Sequence, residues 1–326
     1  MKITYFIRDP RKGNYSLEKI FLSIGEIIAQ EHDVTYFYVN PDKSKWWNIR
    51  EAARNQGDVN HITGDVNWLA FGLDKKRTLL TAHDLGHYVN TLKGIKRIVY
   101  GYIWWKWPLK KVAAITAISN YTKSQLIKYF KIQSDKITTI YNPLSQKFKE
   151  DEYFFHTSKP SILQVGSMQN KNVDRLIEAI EDIPGKLILL RMKNNELASR
   201  LRKLRIDHEF YSGLTDLEVI KLYKSIDILY FASTYEGFGL PIIEAQAIGR
   251  PVITSTIPPM PEVAGEGAHF VDPFNTKKIK EGILKIINER EYRQKLIKAG
   301  FKNVKRFEAE RIAQQYLNLY KQILEA

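Results

Sequence analysis

The segment 233–255, STYEGFGLPIIEAQAIGRPVITS, sets two carboxylates around a glycine-rich turn. Glu236 and Glu244 stand eight residues apart, and Gly237 and Gly239 between them let the backbone approach a ligand closely. Pro241 preorganises a helix start just after the glycines. The N–H groups of a helix start, with the helix dipole behind them, favour an anion such as a phosphate. Carboxylates accept pairs of hydroxyl hydrogen bonds, so two of them beside a phosphate site suit a sugar nucleotide, one on a hexose and one on a ribose. The same residues also read as a tight strand-to-helix turn carrying two solvated glutamates.

The turn must be held by the elements on either side, a strand over 227–234 and a helix over 241–249. Around it, strands over 160–166, 185–191, 208–213 and 251–255 alternate with helices over 172–182, 194–204 and 216–226. Alternation of that kind predicts an α/β fold with a parallel, doubly wound sheet. The first half repeats the scheme with strands over 2–8, 34–39, 77–84, 113–119 and 136–143 and helices over 16–31 and 122–132. We therefore expect an N-terminal domain over 1–145, a polar linker over 146–160 and a second domain over 161–305. The segment 306–326 closes the chain as an amphipathic helix packing back towards the N-terminal domain. Ligands of doubly wound sheets sit at the carboxyl ends of strands, so two such domains predict a two-substrate cleft.

Composition narrows the class. Hydrophobic residues make up 44% and charged residues 26% of the 326, as in a globular chain and unlike a disordered or fibrous one. No apolar run approaches the roughly 20 residues that span a bilayer. Arg8 and Asp9 come too early for a signal-peptide core, so the expected location is the cytoplasm. With no cysteine, disulfides, thiolate metal sites and cysteine nucleophiles are excluded. The net charge of +14 is lopsided: residues 1–150 carry 24 basic against 13 acidic side chains, a bias towards anionic partners.

The E-x7-E spacing around EGFGLP resembles the signature of the retaining glycosyltransferases of family 4, which have the GT-B fold of two Rossmann-like domains. SILQVGSMQNKNVDRLIEAI (161–180), EVAGEGAHFVDPFN (262–275), AISNYTKSQLIKYF (117–130) and the closing FEAERIAQQYLNLYKQILEA (307–326) are similar to that family too, so the resemblance covers nearly the whole chain. It implies that Glu236 contacts donor-sugar hydroxyls and Glu244 the nucleotide ribose. It further implies that the backbone N–H groups of Phe238, Gly239 and Leu240 hold the distal phosphate and sugar. Lys171, in the loop after Gly166, is implied to pair with the diphosphate. Many members carry Arg directly after that glycine, where this chain has Ser167, and Arg191 is a candidate second cation. The base is expected along Tyr211, Gly213 and Leu214. On the first domain the resemblance carries a functional histidine, or its carbonyl, to His83, with Asp84 beside it. Gly13 corresponds to the glycine-rich loop after the first strand, although the usual paired glycine is Asn14 here.

No two aspartates stand two residues apart, so the metal-binding Asp-x-Asp of other sugar transferases is missing. The expected chemistry needs no metal or cofactor, and Lys171 with the helix start would stabilise the departing diphosphate. The expected donor is a nucleoside-diphosphate sugar and the acceptor a glycan or lipid-linked glycan. Residues 91–111, TLKGIKRIVYGYIWWKWPLKK, interleave six Lys or Arg with Trp104, Trp105 and Trp107, as at a membrane interface; the bland alternative packs those rings on the first domain. That segment makes contact with the inner face of a membrane an expectation as well. His87, near the same strand edge, could serve the acceptor. Two other functions compete: a nucleotide-sugar 2-epimerase, which would turn over donor without acceptor, and a basic nucleic-acid-binding protein. The latter leaves EGFGLPIIE unexplained, and the expectation is no nucleic-acid partner. No G-x-G-x-x-G follows a predicted strand, which excludes a dinucleotide dehydrogenase.

Overall fold

Two six-stranded parallel sheets carry the chain, in a computed structural model that describes residues 1–9, 16–192 and 194–325. The first unit comprises Met1–Ser145 and Phe307–Ala326, the second Gln146–Arg306.

In chain order the first unit holds β1 (Lys2–Ile7), α1 (Ser16–Ile28), β2 (Asp33–Tyr38), α2 (Lys45–Arg54), β3 (Val59–Ile62), β4 (Thr78–Ala82), α3 (Gly94–Tyr100), α4 (Trp107–Lys110), β5 (Ala114–Ala117), α5 (Asn120–Phe130) and β6 (Ile137–Thr139). Its strand order is β2-β1-β3-β4-β5-β6, so the direction of winding reverses between β1 and β3. The C-terminal helix Ala309–Glu325 packs on α1. Its Tyr320 hydroxyl lies 2.7 Å from His61 Nδ1, whose Nε2 meets Thr81 Oγ1 at 2.6 Å, and Thr81 meets Thr116 at 2.6 Å. These groups are all buried and pair with one another, as polar side chains in a core must. Sequence patterning missed β3 because VNHI contains Asn60 and His61, yet both are fully buried and satisfied by such partners.

The second unit holds β7 (Ser161–Val165), α6 (Val173–Ile180), β8 (Lys186–Leu190), α7 (Asn195–Lys203), β9 (Asp207–Tyr211), α8 (Asp216–Ser225), β10 (Ile228–Phe231), α9 (Leu240–Ile248), β11 (Val252–Ser255), α10 (Met260–Ala264), β12 (Ala268–Val271), α11 (Thr276–Asn288) and α12 (Arg290–Val304). The order β12-β11-β10-β7-β8-β9 places the reversal between β7 and β10, the point where doubly wound sheets open a crevice. Each helix has a local reason. In α6, Leu176, Ile177, Ala179 and Ile180 bury one face, and α8 starts in a Thr215–Glu218 capping box. The helix α9 is buried over nearly its whole length, so it lies inside the unit. Residues 146–160 form no helix or strand. They are fastened to this unit by Asp151, which takes the buried Arg250 guanidinium at 3.0 Å, and by the His156 N–H on Asp227 at 2.7 Å.

Candidate functional site

The reversal point of the second sheet gathers the residues that could hold a charged ligand. β7 ends at Val165, and Gly166 follows in a left-handed conformation (φ +91°) that an L side chain rarely adopts. The chain then turns through 169–171 and enters α6 at Asn172, also left-handed. β10 stops at Phe231, three residues short of the predicted strand end, because 232–234 leave the sheet to meet this loop. The Thr234 N–H donates to the Asn170 carbonyl at 2.8 Å, and Asn170 Nδ2 donates to the Tyr235 carbonyl at 2.7 Å. Asn172 Nδ2 binds the Ala232 carbonyl at 3.2 Å and the Pro273 carbonyl at 2.6 Å. Two asparagines thus clamp one loop to the other.

The clamp sets Lys171 against Glu236. Lys171 Nζ lies 2.6 Å from Glu236 Oε1 and 4.8 Å from the centre of the Phe231 ring, and both side chains are mostly shielded, at 17% and 14% exposure. A Cβ on Gly166 would stand 3.0 Å from Lys171 Cε, so the glycine also leaves room for the lysine stem. The turn then reaches α9 through Gly239, whose φ of +116° again calls for glycine, and Pro241 sits in the first helical turn. The Phe238 ring is buried, which leaves its contribution here to the backbone. The N–H groups of a first helical turn have no acceptor inside the helix and point along its positive end.

A second group of charges lies one turn into α9. Glu244 is partly shielded, and burial pushes its carboxyl above the usual range against the opposing pull of Tyr223 and Arg191. The Tyr223 hydroxyl is buried without a hydrogen bond of normal geometry, and burial and the Glu244 carboxylate hold its pKa well above the ordinary value. Arg191, an exposed residue at the end of β8, adopts a left-handed backbone (φ +60°), a strain that concentrates at functional sites. Its N–H donates to the Tyr211 carbonyl at 2.7 Å, so that carbonyl of the expected base-reading segment already has a partner. Gly213 is left-handed and exposed, and Leu214 is half-buried. Among the described residues, no three His, Asp or Glu side chains come together as metal ligands would.

The first unit has its own candidate, also at a reversal point. A cavity of about 130 Å³ opens beyond β1, β3 and β4, lined by Arg8, Asp65, His83, Asp84, His87 and Tyr100 among others. His83 Nε2 lies 2.6 Å from the Thr63 carbonyl, which can only accept, so the proton sits on Nε2. Its Nδ1 lone pair has no hydrogen-bond partner. Burial holds the imidazole below its ordinary pKa, against the Thr63 hydrogen bond and the nearby carboxylates of Asp84 and Asp65. A neutral His83 thus keeps a free acceptor lone pair on Nδ1, a buried atom beside the cavity. Gly13 lies outside the described residues.

Sequence reasoning missed Asn170, Thr234 and Tyr223. Asn172 carried a weak signal, since asparagine tolerates the left-handed conformation that begins α6.

Fold and site together define a two-domain protein of the doubly wound α/β class, with a shielded ion pair at the switch point of its second sheet. Residues 145–303 match the family model described as glycosyl transferases group 1, and residues 26–147 match that of glycosyltransferase family 4. The chain belongs to the glycosyltransferases of GT-B fold. It is 26% identical over 237 residues to the O-antigen chain mannosyltransferase B of Escherichia coli, covering 65% of this chain and 61% of that protein. It is 28% identical over 221 residues to the O-antigen chain mannosyltransferase RfbU of Salmonella typhimurium, covering 64% and 60%. The matches thus span about three fifths of these relatives' length. The HepE protein of Anabaena, solved with UDP and glucose, superposes with a TM-score of 0.81 over 99% of this chain and all of that one at 14% identity, which establishes the fold.

Proposed function

We propose that this chain transfers a hexose, with retention of anomeric configuration and without a metal or other cofactor, from a nucleoside-diphosphate sugar to a glycan or lipid-linked acceptor. The observation that carries the reading is the Lys171–Glu236 pair beside the Gly239 turn and α9 start. In it a cation, a carboxylate and a helix N-terminus stand at one sheet's switch point. On this reading Glu236 binds donor hydroxyls, and Glu244 accepts from the ribose. Lys171 and the first turn of α9 take up the negative charge that grows on the departing diphosphate, with Arg191 as second cation. Stabilisation of this kind, preorganised and partly shielded from water, supplies much of the rate enhancement in many group transfers. The acceptor oxygen bonds to the anomeric carbon as the bond to the phosphate oxygen breaks, and that phosphate oxygen takes the acceptor proton. Glu236 acts as a binder, and His83 accepts a sugar hydroxyl hydrogen.

The names of the two O-antigen relatives make mannose the first sugar to test and a polysaccharide under construction the first acceptor. No described helix is long and apolar enough to cross a membrane. We assign residues 91–111 to contact with the cytoplasmic face of one.

The test is calorimetric titration of chelator-treated protein with UDP, GDP, ADP and CMP, beside a Glu244→Ala variant. Micromolar binding of one diphosphate, weakened in the variant, supports the reading and names the nucleotide. Binding of none of them, with tight salt-dependent binding of nucleic acid, rejects it. Consumption of the sugar nucleotide with no acceptor present would instead favour an epimerase.

A further inference from the structure

Lys171 Nζ and Glu236 Oε1, at 2.6 Å, are partners in an ion pair that is mostly shielded from water. The transferase reading gives the two charges different ligands, a diphosphate for the lysine and sugar hydroxyls for the glutamate. A phosphate approaching Lys171 therefore meets a carboxylate of its own sign, and the pair must open before the lysine can turn to it. Salt screens a pair shielded to this degree far less than it screens a surface pair.

The surroundings decide which partner moves. The lysine stem lies against Gly166, where a Cβ would stand 3.0 Å from Cε and 3.3 Å from Cγ. Its ammonium is 4.8 Å from the centre of the buried Phe231 ring. The Lys171 N–H donates to the Met168 carbonyl at 2.8 Å, and its own carbonyl accepts from the Gln164 amide at 3.2 Å. The lysine is held from backbone to tip. Glu236 instead stands in the stretch 232–239 between β10 and α9, with Gly237 directly after it. A Cβ on Gly239 would stand 3.5 Å from the same Phe231 ring, so the lysine and the start of α9 meet one side chain. The carboxylate is the group that can swing away, and the lysine is the fixed anchor.

We propose that Glu236 competes with the diphosphate for Lys171, so that the site holds a whole sugar nucleotide in preference to the diphosphate left after transfer. A sugar nucleotide opens the pair and offers each charge a new partner, phosphate for Lys171 and hydroxyls for Glu236. A bare diphosphate opens it and leaves the carboxylate beside its own negative charge. Once the sugar has left, the return of Glu236 to Lys171 expels the diphosphate, and the difference between the two affinities is the selectivity. The identity of the ligand rests on the transferase reading above; the competition rests on the pair alone.

The probe is inorganic pyrophosphate, titrated into the chelator-treated full chain, with GDP, GDP-mannose, UDP and UDP-glucose beside it. Glu236→Gln should bind pyrophosphate at least about tenfold tighter than wild type, the scale on which close charges couple. In a Lys171→Ala background the same change should gain less than about twofold, because a mere loss of negative charge would act there too. For a nucleotide that binds the wild type, Glu236→Gln should narrow the gap between the sugar nucleotide and its diphosphate. Thermal melts show that each variant is folded. If Glu236→Gln melts too low to titrate, Glu236→Asp, with a shorter reach, takes its place and should show a smaller gain that also needs Lys171.

Pyrophosphate bound no tighter by the variant, or a gain that persists without Lys171, overturns the inference. An unchanged gap for a nucleotide that binds overturns it as well. If the gain fails while GDP or UDP binds the wild type, the transferase reading stands and only the competition falls. If the gain appears while no nucleoside diphosphate binds, the competition stands and the transferase reading falls.

Discussion

Lys171 Nζ sits 2.6 Å from Glu236 Oε1, although the two residues are 65 apart in sequence and belong to loops after different strands. The Asn170 clamp between those loops fixes the spacing, so the pair is part of the fold before any ligand arrives. If Lys171 neutralises a departing diphosphate, Lys171→Ala should lower the transfer rate about 100-fold. Its melting temperature should fall as well, because the change leaves the mostly shielded Glu236 carboxylate without its cation. A rate within a factor of two of wild type would remove Lys171 from the mechanism.

Gly166 offers a subtler test of the same lysine. Alanine there must adopt a φ near +91° and set its methyl 3.0 Å from Lys171 Cε. Gly166→Ala should cost about 1–3 kcal/mol in backbone strain. It should also weaken donor binding by displacing the lysine, so a donor KM unchanged at a lowered melting temperature would show that the glycine serves the fold alone.

Glu244 carries a pH signature. Burial raises its pKa, so it takes up a proton at a higher pH than an ordinary glutamate does. Nucleotide affinity should therefore begin to fall above the usual carboxylate range as the solution is acidified, and Glu244→Gln should flatten that profile while weakening affinity. A group whose folded pKa is raised also destabilises the fold where it is charged, at neutral pH. Glu244→Gln should then melt higher than wild type at pH 7, with function and stability moving in opposite directions.

His61 sets a stability limit in the first unit. Burial first, and His83 second, hold it well below its ordinary 6.5. As pH falls below 6.5 the unfolded chain binds a proton that the folded one refuses, so this stability is present above 6.5 and drains away below it. The expected slope is about 1.4 kcal/mol per pH unit for this histidine, down to its depressed folded value. Denaturant midpoints between about pH 7.5 and 5.5 should fall accordingly, and His61→Gln should reduce the slope. An equal slope in the variant would assign the acid sensitivity elsewhere.

The resemblance carried by EGFGLP and its flanking segments reached the GT-B fold, and the family models agree. Strands such as Ser161–Val165 and Lys186–Leu190 were plain because a strand buried on both faces reads as a continuous apolar run. Strand Val59–Ile62 was hidden by Asn60 and His61, whose polarity is answered only by groups outside the strand, those of His61 distant in the chain. The basic, tryptophan-rich run at 91–111 was visible, but not that its isoleucines and valine face outward or that Lys45 joins them from α2.

What the sequence determined by itself was local: where helices start, where glycine must bend the backbone, and which half carries the positive charge. These follow from side-chain type and period, which need no partner. What only the tertiary structure decided was pairing, Lys171 with Glu236 and the Nε2 proton of His83 with Thr63, and the nearness of Tyr223 and Arg191 that bears on the Glu244 carboxyl. Pairings of that kind depend on strand order, which brings residues from different loops to one switch point, and no local period encodes it.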